Sequence, residues 1–297
     1  MHLLFFQHFN SSKNDVYLRS DWGKTQMEET IKEQAELIDA AGFQAMDDHL
    51  ASLRYAGMIQ HALLPDAEIL DGLLKEYFVL FLPKDIVSGD FYYAFSNREY
   101  ICIAAGDCTG HGVPGALMSI LGISFLNEIL QCSPKLKANR ILNLMREKVM
   151  KALHQTGDKS PTKDSIDIGL CIIDNNIASL QFSGANRPLI RIRDGELTEF
   201  KPDLMTIGLA PLKECAFTNI LIDIRAGDMF YLFSDGFSDQ FGELTNKKLK
   251  HRNFKRLLES VSGQELAQQR INLERAFIDW KGTESQVDDV LIFGFKF

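Results

Sequence analysis

The sequence predicts a layered α/β (α+β) fold: a β-sandwich of two mainly antiparallel sheets flanked by helix pairs, preceded by a long N-terminal helical linker. Three observations predict it. After Pro65 short apolar runs rich in Val, Ile, Phe and Tyr recur at strand length. Helical periods interrupt those runs as adjacent pairs, so the order is not the strand-helix alternation of a parallel sheet. Ahead of Pro65 the chain is rich in Glu, Gln, Ala, Leu and Met and lacks proline back to Thr25.

In chain order, residues 1–24 read as a tail or the remnant of a linker, 25–64 as a helical regulatory and dimerisation linker, and 65–297 as the main domain. Thr25 and Glu28 have the spacing of a capping box. Met27, Ile31, Ile38 and Ala41 form one apolar stripe, and Phe43, Met46, Leu50 and Leu53 form a second, offset across Gly42. Such a helix either packs on its own domain or pairs with a second copy and transmits a signal.

The strands expected beyond it are Tyr77–Leu82, Tyr100–Ala105, Asp167–Ile173, Ala178–Ser183, Leu189–Arg193, Met229–Phe233 and Val290–Phe295. Pro114 suits the first position of a helix reaching about Leu130. Ile141, Leu142, Met145, Val149 and Leu153 keep the helical period in its neighbour, and a second pair falls near 252–262 and 264–280. Gly157–Lys163 reads as a loop.

Composition narrows the function. A chain of 297 residues with 45% hydrophobic content can bury a large core, and a net charge of −8 repels nucleic acid and anionic lipid. Cys102, Cys108, Cys132, Cys171 and Cys215 are odd in number and contain no CxxC pair, which points to a reducing compartment. The N-terminal run Leu3-Leu4-Phe5-Phe6 is too short for a signal or a membrane span, and no later stretch is expected to reach the length a span needs. A cytoplasmic protein without a direct membrane span is expected.

The chemistry lies in aspartates at the ends of apolar runs, beside glycine or another acid: Asp90 in VSGDF, Asp107 in AAGDCTGHG, Asp235 in FSDGFSDQFG and Asp288 in QVDDVLIF. Bare carboxylates at strand ends, with glycines that let backbone oxygens approach, are what hard divalent cations require. Each signal alone is weak, because Asp-Gly is a common turn. The conjunction in one chain is specific and indicates a metal-dependent hydrolase.

From about Tyr77 to Phe297 the chain resembles the SpoIIE/RsbU branch of the PPM-type metal-dependent serine/threonine phosphatases. The resemblance rests on LPKDIVSGDFYY, GDCTGHGVPGALMSILG, SIDIGLCIID, FSGANRPLIRIRDGELTEF, SDGFSDQFGE and ESQVDDVLIFGF. It implies two divalent cations, Mn²⁺ or Mg²⁺, with Asp107 shared between them and Cys108 contributing its backbone carbonyl. It also implies that Asp235 and Asp288 complete the ligand set of the second ion, with Asp90 beside the pair and binding through water. Two such ions acidify a water and stabilise the departing phosphoryl group, so no nucleophilic side chain is required.

Lys84 is a candidate contact for substrate phosphate, set against a solvated strand-end lysine. No counterpart to the phosphate-binding arginine of the eukaryotic members stands out. His111 reads as structural rather than as the general acid, and Asn186 as a turn residue bonded to backbone. Asp239 and Asp289 are outer partners of the metal acids or ordinary caps, and the basic run from Lys247 to Arg256 is a solvated helix face rather than a dock for an acidic or phosphorylated protein.

The resemblance implies removal of phosphate from a small regulatory protein, a STAS-type anti-sigma-factor antagonist of a bacterial partner-switching pathway, with homodimerisation through the N-terminal helix. The alternatives are a docking module without turnover, which would be expected to lose the metal acids, and a nucleotide or small-phosphoester metallophosphatase.

Overall fold

The computed structural model describes residues 32, 44, 46–132, 136–157, 160, 162–174, 179–209 and 215–297. The chain divides into two compact units, Met1–Leu53 and Arg54–Phe297. In the first unit the described residues are helical and include Met46, Leu50 and Leu53 of the second stripe, while the Thr25–Glu28 box, Gly42, the first stripe and Phe43 lie outside them.

The second unit opens with helical residues 54–63 (α1) and, after Pro65, the short helix α2 (Ala67–Leu73). The Asp66 carboxylate caps α2 by accepting the Ile69 amide at 2.9 Å. Two five-stranded antiparallel sheets follow. One has the order β1-β12-β9-β6-β7, from Glu76–Leu82, Val290–Lys296, Met229–Phe233, Leu189–Arg193 and Glu196–Phe200. The other has the order β2-β3-β4-β5-β8, from Phe91–Ser96, Tyr100–Cys108, Ile166–Asp174, Ser179–Ala185 and Ile220–Asp223.

Three apolar layers explain why the chain adopts this arrangement. Phe182, Leu189, Phe230, Leu232, Leu291 and Phe293 meet between the sheets. α3 (Gly112–Cys132) and α4 (Ala138–Ala152) cover one outer face through Leu126, Ile141, Met145 and Val149. α6 (His251–Val261) and α7 (Leu266–Lys281) cover the other through Phe254, Leu258, Leu273 and Phe277. The central strands are therefore apolar on both faces, which is why they read as continuous hydrophobic runs. At about 25 cal/mol per Å² of apolar surface, these layers supply most of the driving force for folding.

All seven expected strands are present, although residues 175–178, including the expected first residue of one, lie outside the described set. The expected helix pairs are also found, with Pro114 as the third residue of α3 rather than its first. The structure adds α2, β2, β7, β8, the one-turn α5 (Gly236–Asp239) and a small hairpin of β10 (Phe241–Gly242) and β11 (Lys247–Lys248). One expectation is corrected: α3 has the length and mean hydropathy, 1.6, of a membrane-crossing helix. Half of that window is buried inside the structure, where its apolar side chains pack on the sheet.

Candidate active site

The site lies where strand ends of both sheets adjoin. β3 runs through Asp107 to Cys108, further than its apolar run suggests, and Asp107 stands directly opposite Asp167 of β4. Like charges at directly opposed positions destabilise an antiparallel pair unless a cation intervenes. Asp90 immediately precedes β2 and is buried, with one carboxylate oxygen, Oδ2, lacking any partner.

Its loop is tied down by Asp289, whose Oδ2 accepts the Gly89 amide at 2.8 Å and whose Oδ1 accepts the Lys84 amide at 2.7 Å. A Cβ on Gly89 would fall 2.6 Å from the Gly110 carbonyl, so only glycine fits there. The buried Phe91 ring fills the space beside Gly106 and Gly122 and fixes the start of β2 against β3 and α3.

Asp235 occupies the N-cap position of α5, after the fully buried β9. The adjoining Ser234 closes the sheet end: its amide donates to the Leu291 carbonyl at 3.0 Å and its Oγ accepts the Leu291 amide at 2.9 Å. The Asp289 carbonyl abuts Gly236 where a side chain would start, so the Asp-Gly turn and the Asp288-Asp289 segment are mutually fitted. Asp288 accepts the Asp289 amide at 2.9 Å.

Arg187 joins these acids. It follows the left-handed Asn186 (φ 55°) in the turn between β5 and β6, and its Nη2 lies 2.7 Å from Asp107 Oδ2, 2.8 Å from Asp235 Oδ2 and 3.5 Å from Asp167 Oδ2. Asn186 Nδ2 donates to Asp167 Oδ1 at 2.9 Å. The Asn186 side chain therefore serves an acid, while its backbone amide bonds the Asp203 carbonyl at 2.9 Å.

The carboxylates outnumber their cationic neighbours. Burial pushes the Asp107 carboxyl up to about 7, with Asp235, Asp288 and Asp167 adding repulsion and Arg187 opposing the shift. Burial and then the Asp107 charge raise Asp90, and burial raises Asp288. Burial alone would lower the Arg187 guanidinium pKa, but Asp107, Asp235 and Asp167 more than offset it and raise it above its ordinary value.

Of the remaining candidates, Cys108 is buried, and its carbonyl lies 3.3 Å from the position a Gly89 Cβ would take. Lys84 directs Nζ to the Val287 carbonyl at 2.9 Å. His111 pairs with Asp85 at 2.9 Å, and Lys248 with Asp239 at 2.7 Å. Lys255 of the basic run pairs with Glu199 at 2.8 Å. Sequence reasoning singled out neither Asp167 nor Arg187. Asp167 is revealed by register alone, whereas the arginine stood in view within GANRP.

A groove of about 500 Å³ adjoins the acids, lined by Arg187, Asp235, Lys201, Leu204, Phe233 and His251 among others. A hollow of about 560 Å³ between Leu249, Arg256, Asp279 and Trp280 includes none of the candidate acids.

Among the described residues, no group of three or more His, Cys, Asp or Glu side chains converges on one coordination point. The acids are gathered around Arg187 instead. Their chemistry nevertheless suits hard divalent cations: the side chains are oxygen donors, Asp90 Oδ2 is buried without a partner, and Asp107 opposes Asp167 across the ladder.

A sandwich of two antiparallel sheets between helix pairs, with acids at adjoining strand ends, defines the PP2C class of serine/threonine phosphatases. The family model described as Stage II sporulation protein E (SpoIIE) matches residues 97–297, and the chain belongs to that family of PP2C-type phosphatases. The SiaA-PP2C domain of Pseudomonas aeruginosa is similar at 31% identity, covering 85% of this chain and 98% of that one, with a TM-score of 0.77. The PP2C domain of SpoIIE from Bacillus subtilis, solved with a fragment of its regulatory domain, is 18% identical with a TM-score of 0.61. That match covers 75% of this chain and 63% of the other. The catalytic domain of the serine/threonine protein phosphatase PstP, solved with two manganese ions, shares the fold at 16% identity and a TM-score of 0.52, over 74% of this chain and 97% of that one. Among proteins of curated function, none matches the chain.

Proposed function

We propose that this phosphatase removes phosphate from serine or threonine of a small regulatory protein, a STAS-type anti-sigma-factor antagonist, using two Mn²⁺ or Mg²⁺ ions. The observation that carries the reading is the excess of carboxylate over cation where Asp90, Asp107, Asp167, Asp235 and Asp288 adjoin. Asp107, Asp235 and Asp288 would hold the metals, with the Cys108 carbonyl beside them and Asp90 acting through water. When bound, the cations supply an acidified water and neutralise charge on the phosphoryl oxygens.

The protein's own residues prepare that chemistry. Asp289 holds the Gly89–Asp90 loop, Asn186 orients Asp167, and Ser234 sets the position of Asp235. Lys84 donates one ammonium hydrogen to the Val287 carbonyl, which anchors the side chain and leaves donors of the same group for substrate phosphate. The groove beside Asp235 offers room for residues flanking the phosphorylated one.

Residues 25–64 serve in this reading as a dimerising linker that regulates the domain. Gln60 supports it, because the buried amide donates to the Ser88 carbonyl at 2.5 Å and Ser119 Oγ at 2.7 Å and accepts the Ser88 amide at 2.9 Å. Movement of that helix would thus reach the loop carrying Asp90. The five unpaired cysteines fit a reducing, cytoplasmic setting.

The test is phosphate release from a phosphorylated STAS protein with Mn²⁺, with chelator, and with Asp107→Ala or Asp235→Ala. Release only by the wild-type protein with metal is expected, and undiminished turnover in either variant contradicts the assignment. Solution mass with and without residues 1–60 tests the dimer: a monomer in both cases removes that part of the reading.

A further inference from the structure

We infer that Arg187 is a built-in counter-cation that competes with divalent metal for Asp107 and Asp235, so that loading the site requires its guanidinium to leave both carboxylates. The inference rests on the metal-dependent reading above and adds a determinant of metal affinity within the chain. A single nitrogen, Nη2, lies 2.7 Å from Asp107 and 2.8 Å from Asp235, the two carboxylates proposed to bind metal. A divalent ion sits roughly 2.0–2.6 Å from its oxygen ligands. An ion bridging Asp107 Oδ2 and Asp235 Oδ2 at that distance would fall about where Nη2 now lies, so metal and guanidinium cannot occupy that position together.

The way Arg187 is held makes it displaceable. Its Nε is buried and lacks a partner, and its ion pairs with Asp107, Asp167 and Asp235 all run through Nη2. Neutralising those acids with metal removes what holds the side chain in place. The neighbouring groove, of which Arg187 and Asp235 are both walls, provides space for the displaced guanidinium. Meanwhile the cation keeps the opposed Asp107 and Asp167 from repelling each other in the metal-free protein.

Because linkage is reciprocal, whatever metal does to the Arg187 ion pairs, the arginine does to metal affinity. Mn²⁺ titration calorimetry on the full chain reads this directly. Arg187→Gln should bind Mn²⁺ about tenfold more tightly than wild type, within the ordinary range of coupling between sites. Arg187→Lys, which keeps one cation, should fall between them. Equal or weaker binding by the Gln variant, or a Lys variant tighter than the Gln variant, overturns the inference. Failure of the wild-type protein to bind Mn²⁺ at all overturns the metal-dependent reading instead.

If the Gln variant does not unfold cooperatively, the wild-type chain still decides. Titration with diamagnetic Mg²⁺ should give a saturable change in the Arg187 Nε–H resonance, identified by its loss in Arg187→Lys. A resonance indifferent to Mg²⁺ rejects the displacement.

Discussion

Strand β6 is flanked by two arginines in opposite electrostatic circumstances. At its far end Arg193 forms a fork on buried Asp228, with Nε to Oδ1 and Nη2 to Oδ2 both at 2.6 Å, and reaches Asp223 through Nη1 at 3.0 Å. Burial alone would raise the Asp228 carboxyl, but Arg193 and the Arg225 amide outweigh it and hold the group below its usual range. Just before β6, Arg187 faces three carboxylates through one nitrogen and has an unpartnered Nε, while Asp107 is pushed up. A cluster that satisfies its charges stabilises the fold. One that leaves acid in excess is poised to take a cation, and the surrounding structure must hold it together.

That contrast can be broken by substitution. Asp107→Asn should lower metal-dependent phosphate release by about 10³-fold, the scale on which loss of preorganised transition-state electrostatics is felt. The melting temperature of its metal-free form should hold or rise, because one repelling acid is gone. Asp228→Asn should do the reverse, lowering the melting temperature by several degrees without changing the rate per folded molecule.

If apolar packing holds the crowded acids in place, Phe91→Ala should cost about 3–5 kcal/mol in denaturant unfolding. The ring is fully buried against Gly106 and Gly122 and leaves a cavity beside Asp90. A cost below about 1 kcal/mol would indicate that the site supports itself.

The balanced cluster also has a pH signature. The folded Asp228 pKa lies below the unfolded value of about 3.9. Its stabilisation is therefore complete above that value and lost as pH falls through the lower folded pKa. The difference in melting temperature between wild type and Asp228→Asn should be constant near neutrality and close below about pH 4. The smallest effect is expected from Asn186→Ala, which removes a hydrogen bond to partly exposed Asp167 worth about 0.5–1.5 kcal/mol.

The interior strands were legible because β4, β9 and β12 are buried on both faces and leave unbroken apolar runs. Of the four edge strands of the two five-stranded sheets only β1, itself an apolar run, was legible. β7 reads Glu-Leu-Thr-Glu-Phe with no fully buried residue, and β8 has only four residues, of which Ile222 alone is buried. β2 was hidden by its start at Ser-Gly-Asp, a sequence that signals a turn. Asp90, Asp107, Asp235 and Asp288 stood out because glycine or a second acid flanks them at the ends of apolar runs.

Asp167 gave no such signal. Its place opposite Asp107 depends on the register between β3 and β4, which no local pattern states. Arg187 belongs to a recognisable turn, yet its target is set by how the β5–β6 connection, which crosses from one sheet to the other, meets the ends of β3 and β9. Local chemistry was readable, and partnership across the fold was not.

The most direct measurement is an anomalous-scattering map from crystals of the full chain soaked in Mn²⁺. Two peaks among Asp107, Asp235 and Asp288, with Arg187 drawn away from the first two, are predicted. A map without peaks there, with Arg187 still bridging Asp107 and Asp235, would contradict the account.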